Sequence, residues 1–344
     1  VTAVEAGRAL LVTAALAFLL APSTPVLQAL VPVGSTTLVL VAALAACAVL
    51  GWAAGGRIWL ALLWVALAAG LVIWADPSTV VNAALARGWT LTLSASFGLV
   101  CVASTAGTRF LPRALTTLAA TVAILGALAL TSADSWAGVR RAVLADAHAR
   151  PNAALEWVQS TARSPEWHRL TSEGEEGSSL AAAEEGLESV LAALPEDAVR
   201  FYPALLALES LAGLALAWGL YHRISRTRIG APLGRLRDFR FTDQLAWGLI
   251  AGAVFVLLPT LSAWRQLGLN LLLFFGTLYA LRGLGVTISF LEAVRASAPV
   301  VAVLTLFAAL LSVPSAIALG LIGLGDSWMD WRSRWQAATS QSPG

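Results

Sequence analysis

Tyr202-Pro-Ala-Leu-Leu-Ala-Leu-Glu-Ser-Leu-Ala-Gly-Leu-Ala-Leu-Ala-Trp-Gly-Leu-Tyr221 decides the fold class. Twenty residues this apolar match the thickness of a hydrocarbon core, about 30 Å. One carboxylate, Glu209, stands near the middle of the run. A charge at mid-membrane costs roughly 2.5–3.5 kcal/mol on insertion scales, so it must face protein or a water-filled cavity.

The rest of the chain has the same character. Of 344 residues, 58% are hydrophobic and 12% charged, with mean hydropathy +0.77; a soluble domain carries about twice that charge. The expected spans are Arg8–Ala21, Thr36–Ala54, Ile58–Ala75, Leu85–Ala106, Ala114–Ser132, Tyr202–Tyr221, Gln244–Leu261, Leu269–Leu291 and Pro299–Ile322. Pro22 and Pro25 follow the short first run, so Val26–Val33 reads as a re-entrant half-helix or a loop. The first run lacks a small-x-small cleavage site and reads as a membrane helix rather than a signal peptide. The fold class expected is all-α: a polytopic transmembrane bundle of eight or nine spans, with a small helical extracytoplasmic insert and an interfacial C-terminal helix. Its blocks are 1–133, the insert 134–200, 201–325 and the tail 326–344.

All 22 basic residues are arginine, and they set the orientation. The loop His222–Asp243 carries Arg223, Arg226, Arg228, Arg235, Arg237 and Arg240 against Asp238 and Asp243. Placing it in the cytoplasm of a bacterial inner membrane puts the N-terminus inside, with Arg8, Arg57, Arg109, Arg113 and Arg295. With nine spans the tail falls outside, carrying Arg332 and Arg334 against the rule. Its side is left open.

Between Ser132 and Phe201 stand twelve acidic residues and six arginines, a net of −6. The pattern predicts short amphipathic helices, one along Trp136, Val139, Val143 and Ala147, another along Leu180, Leu187, Val190, Leu191 and Leu194. Glu173–Ser179 reads as a loop between them. By topology the insert is extracytoplasmic, and it is expected to fold against the membrane surface or the transmembrane block rather than alone.

Chemistry is thin. His148, His168 and His222 form no H-E-x-x-H, and there is no G-x-S-x-G, C-x-x-C or nucleotide-binding glycine loop. This argues against an ATPase, a zinc protease or a redox enzyme, so no catalytic residue, metal or cofactor is expected, nor nucleic acid as a partner. Cys47 and Cys101 lie in apolar runs and read as buried small hydrophobes. His168, beside Trp167 and Arg169, reads as exposed rather than ligand-binding.

The candidate intramembrane polar site is Glu209, Arg282 and Asn270. Glu209 lies just above the midplane and Arg282 just below it, about 8 Å apart along the axis at 1.5 Å per residue. Arg282 leans outward, because helical side chains tilt toward the N-terminus. Three readings stay open: an ion pair, a substrate cavity, or a neutral glutamic acid on backbone. Trp328, Trp331 and Trp335 recur at helical intervals and read as an interfacial anchor at headgroup depth. The six-arginine loop reads as a topology determinant facing anionic lipid.

The order of motifs carries a resemblance. Tyr202-Pro-Ala-Leu-Leu-Ala-Leu-Glu209 is followed by the arginine linker and Phe239-Arg-Phe-Thr-Asp-Gln-Leu-Ala-Trp-Gly248. Gly268-Leu-Asn-Leu-Leu-Leu-Phe-Phe275, Leu281-Arg-Gly-Leu-Gly285 and Gly323-Leu-Gly-Asp-Ser-Trp-Met-Asp-Trp-Arg332 complete it. This looks like the YybS-like family of bacterial membrane proteins, a domain of unknown function. The resemblance covers the last 135 residues or so, and extends over the first 133 only in the order and length of spans. That family more often carries glutamine where this chain has Arg282. Its fold is distantly similar to the substrate-binding components of energy-coupling-factor vitamin transporters and to a membrane protein of the rod-shape machinery. The resemblance implies a small-molecule-binding transport component, or alternatively a scaffold in envelope assembly. The bilayer, and a small-molecule substrate or a membrane-protein partner, are the implied contacts.

Overall fold

In lipid, a backbone must satisfy its own polar groups, and a single chain segment does so as a helix. The computed structural model describes residues 33–74, 83–104, 108–130, 135–172, 174–225, 227, 229–294, 296–310 and 312–334. Among them there is no strand. The first expected span, most of the Val26–Val33 half-helix, Arg226, Arg228, Arg295 and Trp335 lie outside the described residues.

Among the described residues, four segments are long and apolar enough to cross a membrane: Leu85–Ala103, Phe110–Leu130, Val199–Ile224 and Pro259–Ala293. Thr37–Ala53, Ile58–Ile73, Asp243–Leu257 and Val313–Met329 are shorter apolar helices. The chain forms two compact units, divided between Leu233 and Gly234.

The first unit contains α1 (Val33–Ala53), α2 (Ile58–Trp74), α3 (Ala83–Ala103), α4 (Phe110–Leu130), α5 (Ser135–Ala162), α6 (Pro165–Ser172) and α7 (Gly174–Ile224). Small buried residues on α1, including Ala42, Ala43, Cys47 and Ala48, let α7 approach closely. A Cβ on Gly213 of α7 would stand 2.7 Å from Val39 Cγ1. Trp89 Nε1 of α3 donates to Ser210 Oγ at 2.8 Å. Trp218 is fully buried, with Phe97 and Phe110 rings about it at 5.9 and 6.0 Å.

The insert differs from its expectation. Its helices are long, α5 at 28 residues and α7 at 51. Residues 174–179, read as loop, begin α7. The helix runs on past Pro195 and Pro203 into the span, where an interior proline ordinarily costs about 3 kcal/mol. Ala- and Glu-rich flanks favour the helix, and α5 packs against it through Ala154, Val158 and Leu191, with Leu155 and Leu187 alongside.

The second unit contains α8 (Ala246–Leu257), α9 (Arg265–Ala293), α10 (Ala298–Leu310) and α11 (Ser312–Met329). Leu258 turns extended and Pro259 opens a 3-10 segment to Trp264, which folds α9 back along α8. Gly252 and Gly268 sit at that crossing, each with the other's carbonyl oxygen within 3.0 Å of where a Cβ would stand.

The contact between α9 and α11 overturns one expectation. A Cβ on Gly320 would lie 3.8 Å from Gly276 O, one on Gly323 would strike Tyr279 O, and Arg282 reaches Asp326. Each pair is 44 positions apart. A constant offset means that α9 and α11 run parallel, so the chain must return between them. Pro299–Ile322 is therefore not a single crossing. Helix α10 leads back and α11 starts afresh, with Pro314 in its first turn, where a missing N–H costs nothing. The break escapes hydropathy because both sides of it are apolar.

Candidate functional site

At the C-terminal end of α11 three charged side chains are buried together. Arg282, Asp326 and Arg332 are 5%, 1% and 3% exposed. Such groups are stable only when paired and hydrogen-bonded. Asp326 Oδ2 accepts from Arg282 Nε at 3.1 Å and from Arg332 Nη2 at 2.5 Å, while Arg332 Nε reaches Oδ1 at 3.4 Å. The Arg332 fork thus engages both carboxylate oxygens, the geometry in which a guanidinium binds best.

The remaining guanidinium donors fix the loop. Arg332 Nη1 donates to Arg237 O at 2.8 Å and Phe239 O at 3.2 Å. Arg282 Nη1 lies 3.5 Å from Phe241 O and 3.4 Å from Asp243 Oδ1. Phe241 also covers the Arg282 guanidinium, its ring centroid 5.3 Å away, and meets Tyr279 edge-on at 5.0 Å. Residues 237–243 are therefore tied by main-chain carbonyls to two buried arginines. The tail lies against this loop. Arg332 thus stands beside Arg237 and Arg240 of the loop.

Two ion pairs border the cluster. Arg237 Nη1 meets Glu292 Oε2 at 2.7 Å, and the hydrogen bond to that carboxylate, then its charge, raises the Arg237 pKa. Arg240 Nη2 meets Asp330 Oδ1 at 2.9 Å. A hydrogen bond from Ser333, with the Arg240 charge in support, holds the Asp330 carboxyl below its ordinary range. Asp330 has φ 43°, a left-handed conformation that ends α11 and that aspartate tolerates better than most residues. Trp328 and Trp331 are thus not on one unbroken helix, as their spacing had indicated. Trp328 is exposed on α11, while the Trp331 ring covers Gly325.

Arg282 takes its carboxylates from Asp326 and Asp243, which the sequence reading did not group with it. Glu209, half-buried on α7, belongs to the other unit. Asn270 is buried on α9 and donates to Gln266 O at 2.9 Å. Of the loop arginines, Arg223 and Arg235 are exposed, whereas Arg237 and Arg240 are ion-paired.

The first unit pins the other half of the loop in the same manner. Arg113 Nη1 donates to Ile229 O at 3.4 Å, Trp218 Nε1 to Ala231 O at 3.0 Å and Tyr221 Oη to Thr227 O at 2.9 Å. The His222 ring bridges Trp218 O and Gly230 O at 2.9 and 3.1 Å. Sequence reasoning missed all of these, since the partners are backbone carbonyls and leave no signature in side-chain spacing.

These features describe a membrane protein whose buried guanidiniums are tied to carboxylates and main-chain carbonyls. A family model described as a predicted membrane protein, DUF2232, matches residues 26–327. The chain belongs to that family. The match takes in Arg282 and Asp326 but stops short of Arg332. No curated protein and no solved structure matches the chain.

Proposed function

We propose that this protein is a scaffold of the bacterial cytoplasmic membrane, whose acidic helical arm outside the cytoplasm engages a partner. The observation that carries the reading is α7, continuous from Gly174 to Ile224. At 1.5 Å per residue it is about 76 Å long, more than twice the hydrocarbon thickness. Its apolar part begins at Val199, so about half of the rod stands clear of the membrane segment. A flexible tether would hold a partner nearby; a helix shared between arm and span holds it at a fixed height and angle. The transport reading needs Glu209, Asn270 and Arg282 to converge on a substrate, and the ion pairs of Arg282 with Asp326 and Asp243 argue against it.

The test places photo-crosslinking residues at Trp157 and Val190, both exposed on the arm, in the full chain in intact cells. One discrete protein adduct from both positions, lost when Glu185 and Glu188 are changed to Arg, is expected. Adducts with lipid alone, together with a solute retained on purification and released by Glu209→Gln, would favour transport instead.

A further inference from the structure

Where α6 crosses the α5–α7 pair, a cavity of about 480 Å³ opens between the three helices. Its walls carry charges of both signs. Arg163 projects from the turn after α5, while Glu184 and Glu188 lie one turn apart on α7. Among the described residues, neither Arg163 nor Glu188 has an ion-pair partner within 4 Å. Trp167 lines the same cavity, fixed by a 2.6 Å hydrogen bond from its Nε1 to Glu184 Oε2.

Two like charges at i and i+4 on one helix oppose each other, and a cation placed between them relieves the repulsion. An indole beside them adds an aromatic surface on which an ammonium is attracted by the ring quadrupole. Arg163 would repel a bare cation but supplies a forked donor for a carboxylate. A ligand carrying both groups offers a partner to each sign of charge in the cavity, whose volume lies within the usual range of small-molecule sites.

We infer that this cavity binds a small zwitterion of the amino-acid class, its ammonium against Glu184, Glu188 and Trp167 and its carboxylate on Arg163. The site belongs to the arm itself and stands independently of the scaffold reading.

Calorimetry on the full-length protein in nanodiscs tests it, using glycine, 4-aminobutyrate and 6-aminohexanoate beside butylamine and butyrate. One zwitterion should bind saturably, and each single-charge probe should bind at least about tenfold more weakly, the loss of one charged hydrogen bond. Arg163→Gln should bring the zwitterion down to the level of butylamine, and Glu188→Gln to that of butyrate, with helicity unchanged. Butylamine binding as tightly as any zwitterion would overturn the inference, leaving only an acidic surface. Absence of saturable binding by every probe at millimolar concentration would overturn it as well.

Discussion

Arg282 Nε and Asp326 Oδ2 stand 3.1 Å apart across two parallel helices, both side chains nearly sealed from solvent. Asp326 also neutralises Arg332, so one carboxylate serves two buried guanidiniums. Asp326→Asn therefore strands Arg332 and leaves Arg282 with the exposed Asp243 alone, 3.4 Å away. Removing one partner of a buried pair typically costs about 3–5 kcal/mol, and thermal unfolding in detergent should fall accordingly. Arg282→Gln with Asp326→Asn should recover part of that loss relative to Asp326→Asn alone. A double mutant no better than the single would show that the pair is not the source of the effect.

The same crossing predicts which glycines are replaceable. A Cβ on Gly283 would run into the Leu319 carbonyl oxygen, a backbone atom that cannot turn aside. Gly283→Ala should destabilise the protein by about 1–3 kcal/mol or more, as overpacking does. Gly186, on the arm, has open space where its Cβ would stand. Gly186→Ala should slow local hydrogen exchange there, through a helix-propensity gain of up to about 1 kcal/mol.

Acid should release the tail. The Asp330 pKa is lowered by Ser333 and Arg240, so its contribution is fully present above the unfolded carboxylate value, about 3.9. That contribution is lost as pH falls below this value and through the folded one. Limited proteolysis after α11 should accelerate in that window, and Asp330→Asn should remove the acid dependence. Acceleration at neutral pH would point to another group.

Much of this architecture is legible in the chain before any fold is seen. The runs that became α1 to α4, α8 and α9 announce themselves by length and hydropathy, and the arginine loop by charge. The break before Ser312 was hidden because averaging over apolar residues erases a reversal, although Ser312-Val-Pro314 is a helix-start signal. Burial of Asp326 was hidden for a different reason. Three tryptophans at helical spacing drew the tail toward the interface, and nothing local shows that a carboxylate 44 positions along meets Arg282. For Glu209 and Arg282 the chain gives similar membrane depth, which says nothing about the direction in which a side chain points.

Topology follows from the tail's place beside the loop. Cysteines at Ser225 and Ser333 should label from the same side of the membrane, and one at Ser178 from the other, once Cys47 and Cys101 are replaced. Labelling of Ser225 and Ser333 from opposite sides would contradict the parallel arrangement of α9 and α11.

The central claim is that α7 is one rigid rod joining the acidic arm to a membrane segment. Spin labels at Ser189 and Arg223, both exposed on α7, flank Pro195 and Pro203. In the cysteine-free protein in nanodiscs, pulsed electron–electron dipolar spectroscopy should give a single narrow distance near 51 Å, about 1.5 Å for each residue between them. A broad distribution, or a mean well below that length, would show that the helix breaks at a proline and that the arm is only tethered.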